Sequence, residues 1–177
     1  MEEIERIYTE IGSKVFSQNI IYGATGWVTN YSYYNTQFYE NILKEFCGEY
    51  KMIDTQRTKG TPKVALVSTV VGDDRVSPYV FRSYELPRKI HTSYKGSSHY
   101  PVWAGVRAST AAPGYFHDFI LDNMVHQDGG ILTNNATQIA IHEAQKLWPN
   151  QPLQCVVSLG MHIVRCSSVI SMYVVWV

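Results

Sequence analysis

The sequence predicts a layered α/β domain, its sheet mainly parallel and covered by helices on both faces. Three observations predict it. Lys63 to Val71 and Leu153 to Leu159 are near-continuous β-branched and apolar runs, lacking the polar alternation of a strand with one wet face. Segments with apolar residues at helical spacing lie around these runs, so both sheet faces have helices to cover them. At 177 residues, 45% hydrophobic and 17% charged, the chain can build one real core and is too apolar for a disordered polymer.

In chain order, Glu2 to about Phe16 sets Ile4, Ile7, Tyr8, Ile11 and Val15 at helical spacing, with Gly12 a weak point or an end. Asn19 to Tyr34 is a loop rich in Gly, Thr, Asn and Tyr. Thr36 to Cys47 carries Phe38, Ile42, Leu43 and Phe46 on a second helix, and Gly48 stops it. After the run Lys63–Val71, Gly72-Asp73-Asp74 turns the chain into a neighbouring, alternating strand, Tyr79 to Tyr84. Leu86 to Ser98 reads as a loop. Pro101 suits the first turn of a helix from Val102 to Thr110, whose small residues allow close packing. Phe116 to Leu121, Asp122-Asn123 and Met124 to Gln127 form a tight hairpin that delivers Asp128. Asn134 or Asn135 caps a helix that runs to Leu147 and stops before Pro149. Leu153 to Leu159 returns as a buried strand. There is no internal repeat.

Asp128-Gly129-Gly130 is where chemistry concentrates. The glycines let the backbone turn where a Cβ would clash, so the carboxylate is set at a rim and can act as a general base for a nearby nucleophile. Taken alone, the tripeptide also suits a plain hairpin turn.

Its surroundings favour the chemical reading. Upstream lies Trp103-Ala104-Gly105-Val106-Arg107-Ala108-Ser109-Thr110-Ala111-Ala112-Pro113-Gly114-Tyr115-Phe116; downstream come Asn134-Asn135-Ala136 and Val156-Val157-Ser158-Leu159-Gly160. In this order the motifs resemble the patatin-like phospholipases. Phe16-Ser17-Gln18-Asn19, Val80-Phe81-Arg82-Ser83-Tyr84 and Leu147-Trp148-Pro149 bring the resemblance nearest to the calcium-independent A2 enzymes of the gamma type. It runs from near the N-terminus to about Gly160.

That resemblance implies a three-layer domain that hydrolyses fatty acyl esters of phospholipids with a Ser–Asp dyad. Asp128 would be the base in the Asp-Gly-Ala/Gly motif Asp128, Gly129, Gly130. A Gly-x-Ser-x-Gly elbow would carry the nucleophile, and a Gly-rich loop the oxyanion hole. Neither motif occurs here. Ser158 has Val156 two residues before it, Ser109 lies between Arg107 and Ala111, and Ser13 between Ile11 and Val15. In family order both motifs would precede residue 1. Residues 1–160 are therefore expected to be a partial domain, incomplete at its N-terminal side and inactive alone, with 161–177 a divergent apolar tail. The other function class weighed is a non-catalytic splice product or pseudoenzyme of the same fold that binds lipid or a partner protein.

Composition narrows the rest. Lys+Arg and Asp+Glu both number 15, so the basic excess that a nucleic-acid partner needs is missing. The three cysteines are odd in number and widely spaced, as expected of reduced intracellular thiols. The acidic start Met-Glu-Glu-Ile-Glu-Arg is unlike a signal peptide, and no apolar run approaches the roughly 20 residues of a membrane span. The last residues, Trp-Val, are no peroxisomal signal. The family suggests intracellular membranes, reached by peripheral contact. No cofactor or metal is implied: His142-Glu143 has Lys146 where a second ligand would stand. His117 and His126 are candidates to face each other across the hairpin. Arg107 reads as a structural donor. Net zero charge and the apolar tail predict that the isolated chain self-associates.

Overall fold

The computed structural model describes residues 2–17, 32–72, 75–88 and 90–158. Its elements follow in the order α1 (Glu2–Phe16), α2 (Thr36–Cys47), a 3₁₀ turn (Met52–Arg57), β1 (Ala65–Val71), β2 (Val76–Arg82), β3 (Lys95–Ser97), α3 (Val102–Ser109), β4 (Phe119–Leu121), β5 (Met124–Asp128), a second 3₁₀ turn (Gly129–Ile131) and α4 (Thr137–Leu147). The strands form one sheet in the order β3-β2-β1-β5-β4. The expected α/β class and the expected helices are present.

Strand direction differs from the expectation. The sheet is mixed: only β2–β3 is parallel, while β1–β2, β1–β5 and β4–β5 are antiparallel. Connection length is the reason. Gly72 N–H bonds Arg75 C=O at 3.2 Å, closing β1 onto β2 over a loop too short for a parallel crossover, which needs a dozen or more residues. Asp122 and Asn123 take φ of 47° and 62°, the left-handed pair that a two-residue hairpin requires. The β2–β3 link is long enough to cross over. The apolar run at β1 marks a central strand, and Ser68 and Thr69 at its middle are fully buried. Val64 and Val71 at its ends are 43% and 36% exposed.

The core has two parts. Tyr79 and Phe81 of β2, Leu66 and Val70 of β1, and Ala104 and Ala108 of α3 fill the space between helix and sheet. Gly105 lets α3 sit close: a Cβ there would lie 3.2 Å from Leu66 Cδ1. The outer side of α3 offers Trp103 and Val106 to a second cluster of Val15, Tyr39, Ile42, Leu43 and Phe116, which binds α1 and α2. Gly12 does not end α1; the helix runs on to Phe16 and buries Val15. Asn35 Oδ1 accepts the Phe38 N–H at 3.0 Å to start α2, and Gly48, at φ 59°, ends it. The opposite sheet face meets α4 through Arg82, and Asn135 Oδ1 takes the Thr137 N–H at 2.9 Å at its start.

Two expectations fail locally. The segment 153–158 has no regular structure, and Val156 and Val157 are 38% and 42% exposed. An apolar run becomes a strand only beside a neighbour that takes up its N–H and C=O groups, and no described strand pairs with it. The expected loop Leu86–Ser98 contains β3, whose three residues carry no apolar signal. The expected tail, 161–177, and most of the Asn19–Tyr34 loop lie outside the described residues.

Candidate active site

Asp128 is the last residue of β5, paired with Ser68 of the central strand. Its backbone is held on both sides: its N–H donates to Ala111 C=O at 2.9 Å, and its C=O accepts Thr69 Oγ1 at 2.9 Å. Oδ1 accepts the Gly130 N–H at 2.7 Å, so the carboxylate caps the 3₁₀ turn that follows it. Among the described residues no hydrogen bond engages Oδ2.

Gly129 is required by a close approach, not by an unusual φ. A Cβ at that position would stand 2.2 Å from Val67 C=O, inside the contact limit, so only glycine lets the chain leave β5 against β1. The motif thus fixes the carboxylate on a rigid strand end. Burial pushes the Asp128 carboxyl above the usual carboxylate range, against the opposing pull of the Gly130 N–H. A half-buried carboxyl with raised proton affinity and one oxygen not engaged by the described residues is suited to accept a proton.

No serine of the described residues faces it as a nucleophile would. Ser109 Oγ donates to Val67 C=O at 2.7 Å, Ser13 Oγ to Glu10 C=O at 2.9 Å, and Ser158 Oγ is shared with Thr137 and Asn135. A Ser–His pair that sequence spacing did not reveal exists inside the sheet: Ser68 Oγ and His126 Nδ1 are 2.8 Å apart, both side chains fully buried. Tyr79 and Phe81 cover the imidazole, with ring centroids at 5.2 and 5.5 Å. Burial drops the His126 pKa to about 4, so the ring is neutral, and a sealed hydroxyl cannot meet a substrate. His126 faces Phe119 across the hairpin rather than His117.

Two buried cations also proved structural. Arg107, wholly buried, donates to Glu40 at 3.2 Å and to His117 C=O at 2.6 Å, joining α3 to α2. Arg82 grips Glu143 through two nitrogens at 2.6 and 2.9 Å, and Tyr84 and Thr92 donate to the same carboxylate. Burial pushes the Glu143 carboxyl up, but the Arg82 guanidinium outweighs it and holds the group below its ordinary range. Glu143, not the His142-Glu143 pair, is therefore half of an ion-pair cluster that locks α4, Tyr84 and Thr92 to β2. Its members are 61 residues apart, beyond any spacing rule. A cavity of about 280 Å³ lies beside the turn after Gly130, lined by Pro78, Tyr94, Thr133, Asn135, Gln138 and Ile139 among others; Asp128 is not part of its lining.

A family model described as Patatin-like phospholipase matches residues 1–141. Over 162 residues the chain is 46% identical to human (Homo sapiens) calcium-independent phospholipase A2-gamma, covering 90% of the chain and 21% of that protein. The corresponding rabbit (Oryctolagus cuniculus) protein is 44% identical over 161 residues, with 90% and 20% covered. Arabidopsis thaliana phospholipase A I is 30% identical over 210 residues, with 90% and 16% covered. The chain spans about a fifth of the length of the first of these relatives.

Proposed function

The chain belongs to the patatin-like phospholipase family, and from that premise we propose that it supplies the base half of a Ser–Asp dyad that hydrolyses fatty acyl esters of phospholipids. Asp128 is the base. The observation that carries this reading is its placement: a strand-end carboxylate, fixed through its own N–H and C=O, with raised proton affinity and one oxygen not engaged by described residues.

The hydrolytic cycle assigns Asp128 a defined task. As a serine hydroxyl attacks the ester carbonyl, Asp128 takes its proton; the protonated carboxyl then gives it to the departing lysolipid oxygen. Water attacks the acyl-enzyme next, losing a proton to Asp128, which returns it to the departing serine oxygen as the fatty acid is released. A carboxyl whose proton affinity is raised by burial serves both directions better than an exposed one.

The nucleophile and oxyanion donors are not part of this sequence, which has no Gly-x-Ser-x-Gly. By itself the chain is therefore inactive. Loss of the nucleophile alone costs on the order of a million-fold in a serine hydrolase. Purified chain incubated with phosphatidylcholine and with a fluorophosphonate probe tests this: no fatty-acid release and no labelling are expected. Labelling of any serine would overturn it. An intracellular site of action fits the two described cysteines, Cys47 and Cys155, both free thiols. Among the described residues no helix is long and apolar enough to cross a membrane; in this reading the chain meets lipid by peripheral contact.

A further inference from the structure

A formal charge of zero hides a segregation. Residues 1–50 hold seven acidic and three basic side chains, whereas residues 51–100 hold nine basic and four acidic ones. Of the nine, Arg82 is spent on Glu143 inside the molecule. Arg57, Lys59, Lys63, Arg88 and Lys95 are all exposed. Of these, only Arg57 is drawn into an ion pair among the described residues, with Asp54 at 2.9 Å.

The fold gathers these cations. Ile53 N–H bonds Ser98 C=O at 3.0 Å, and Ser83 Oγ joins Gln56 Nε2 at 3.2 Å and the Val64 N–H at 2.8 Å. The 3₁₀ turn, the approach to β1 and the chain leaving β2 are thereby tied into one end of the sheet, and β3 forms its edge. β5 runs toward that end and stops at Asp128, level with Ser68 at the middle of β1. Register makes Lys95, Tyr79, Ser68 and Asp128 successive partners across β3, β2, β1 and β5. At roughly 4.8 Å per strand, Lys95 and Asp128 stand about 14 Å apart along one row. The acidic excess belongs to the α1–α2 layer, beyond α3.

We propose that this basic end and edge docks the protein on an anionic phospholipid surface. The inference rests on the phospholipid reading of the Asp128 site, and it adds the lipid charge class and the docking face. A planar anionic surface can meet the cationic end while leaving the acidic helices in water; a polyanion that wraps the protein would meet both. Docking in this orientation turns the Asp128 end of β5 toward the lipid.

The test is co-sedimentation of the chain with vesicles of phosphatidylcholine, with and without a minority of phosphatidylserine, at low and high salt. Binding only to the serine-lipid vesicles is expected, weakening with salt. Each cation at a surface is worth about fivefold in affinity, so Lys59→Gln with Lys63→Gln and Lys95→Gln lowers binding about a hundredfold. Lys14→Gln with Lys44→Gln, the same kind of charge loss in the acidic layer, leaves it within about twofold. If the triple variant loses its circular dichroism, the single changes at Lys59 and Lys95 take its place, about fivefold each. Equal binding to both vesicle types, undiminished binding by the variants, or equal affinity for double-stranded DNA would overturn the docking face. Loss of binding is separable from the catalytic reading, because Asp128-dependent hydrolysis of monomeric short-chain lipid, measured with this chain joined behind an elbow-bearing segment of a relative, needs no docking face.

Discussion

At Asp128 the same burial that raises proton affinity also sets a sign for stability. A carboxyl whose folded pKa is raised favours folding at low pH and loses that contribution as pH rises through the folded value. Asp128→Asn removes a charge that is costly to bury, so its thermal midpoint at neutral pH should equal or exceed that of the parent. A fall of several degrees would mean that the carboxylate is a structural cap through Gly130 and little else. His126 has the opposite history: its pKa is depressed to about 4 from an ordinary 6.5. Folding excludes its proton, so stability is complete above about 6.5 and falls as pH drops toward 4, by about 1.4 kcal/mol per unit. Urea midpoints across that window measure it, and His126→Leu should flatten the slope. Asp-Gly-Gly was legible in sequence because the motif is contiguous, and the close approach to Val67 demands glycine at its second position. The Ser68–His126 pair was not, because partners 58 residues apart become neighbours only through strand register.

Between elements, the Arg82–Glu143 cluster is a buried polar tie. It joins β2, α4 and the chain around Tyr84 and Thr92. Glu143→Ala leaves a buried guanidinium unpaired and should cost about 3–5 kcal/mol, read as a shift in the denaturant midpoint. Glu143 holds its proton less tightly when folded, so its stabilisation exists above the ordinary carboxylate range and is lost as pH falls below it. Acid unfolding therefore begins with His126 and finishes with Glu143. Gly129→Ala drives a methyl into Val67 C=O and should cost about 1–3 kcal/mol, displacing the turn that Asp128 caps. Helices read well from sequence because α1 and α2 declare their faces at helical spacing, Gly48 stops α2, and the Asn134-Asn135 pair and Pro149 bracket α4. Strand direction did not: an apolar run shows that a strand is buried, while the length of its connection decides which way its neighbour runs. β3 and segment 153–158 mark the limit in both directions, a strand without apolar residues and an apolar run without a partner.

For the whole molecule, layers and charge act together. The order is α1–α2, α3, sheet, α4, with the Asp128 carboxylate at the end of β5 and the cations gathered toward the end of the sheet that β5 runs to. At the other side of the sheet, β4 pairs only with β5 among the described strands, and Ile120 on it is 69% exposed. An open, apolar edge on a chain of zero net charge favours edge-to-edge association. Sedimentation velocity should show species that grow with concentration, and Ile120→Lys should reduce them; a monomer throughout would contradict this. The central claim is that Asp128 is the base of a Ser–Asp dyad. It is tested most directly by joining this chain behind the elbow-bearing segment of a patatin-like relative and measuring phospholipid turnover with Asp128 and with Asn in its place. The account predicts a kcat lower by about ten-thousand-fold for Asp128→Asn, with unchanged circular dichroism and no loss of thermal stability. Turnover within about tenfold of the parent would contradict it and leave Asp128 a turn residue.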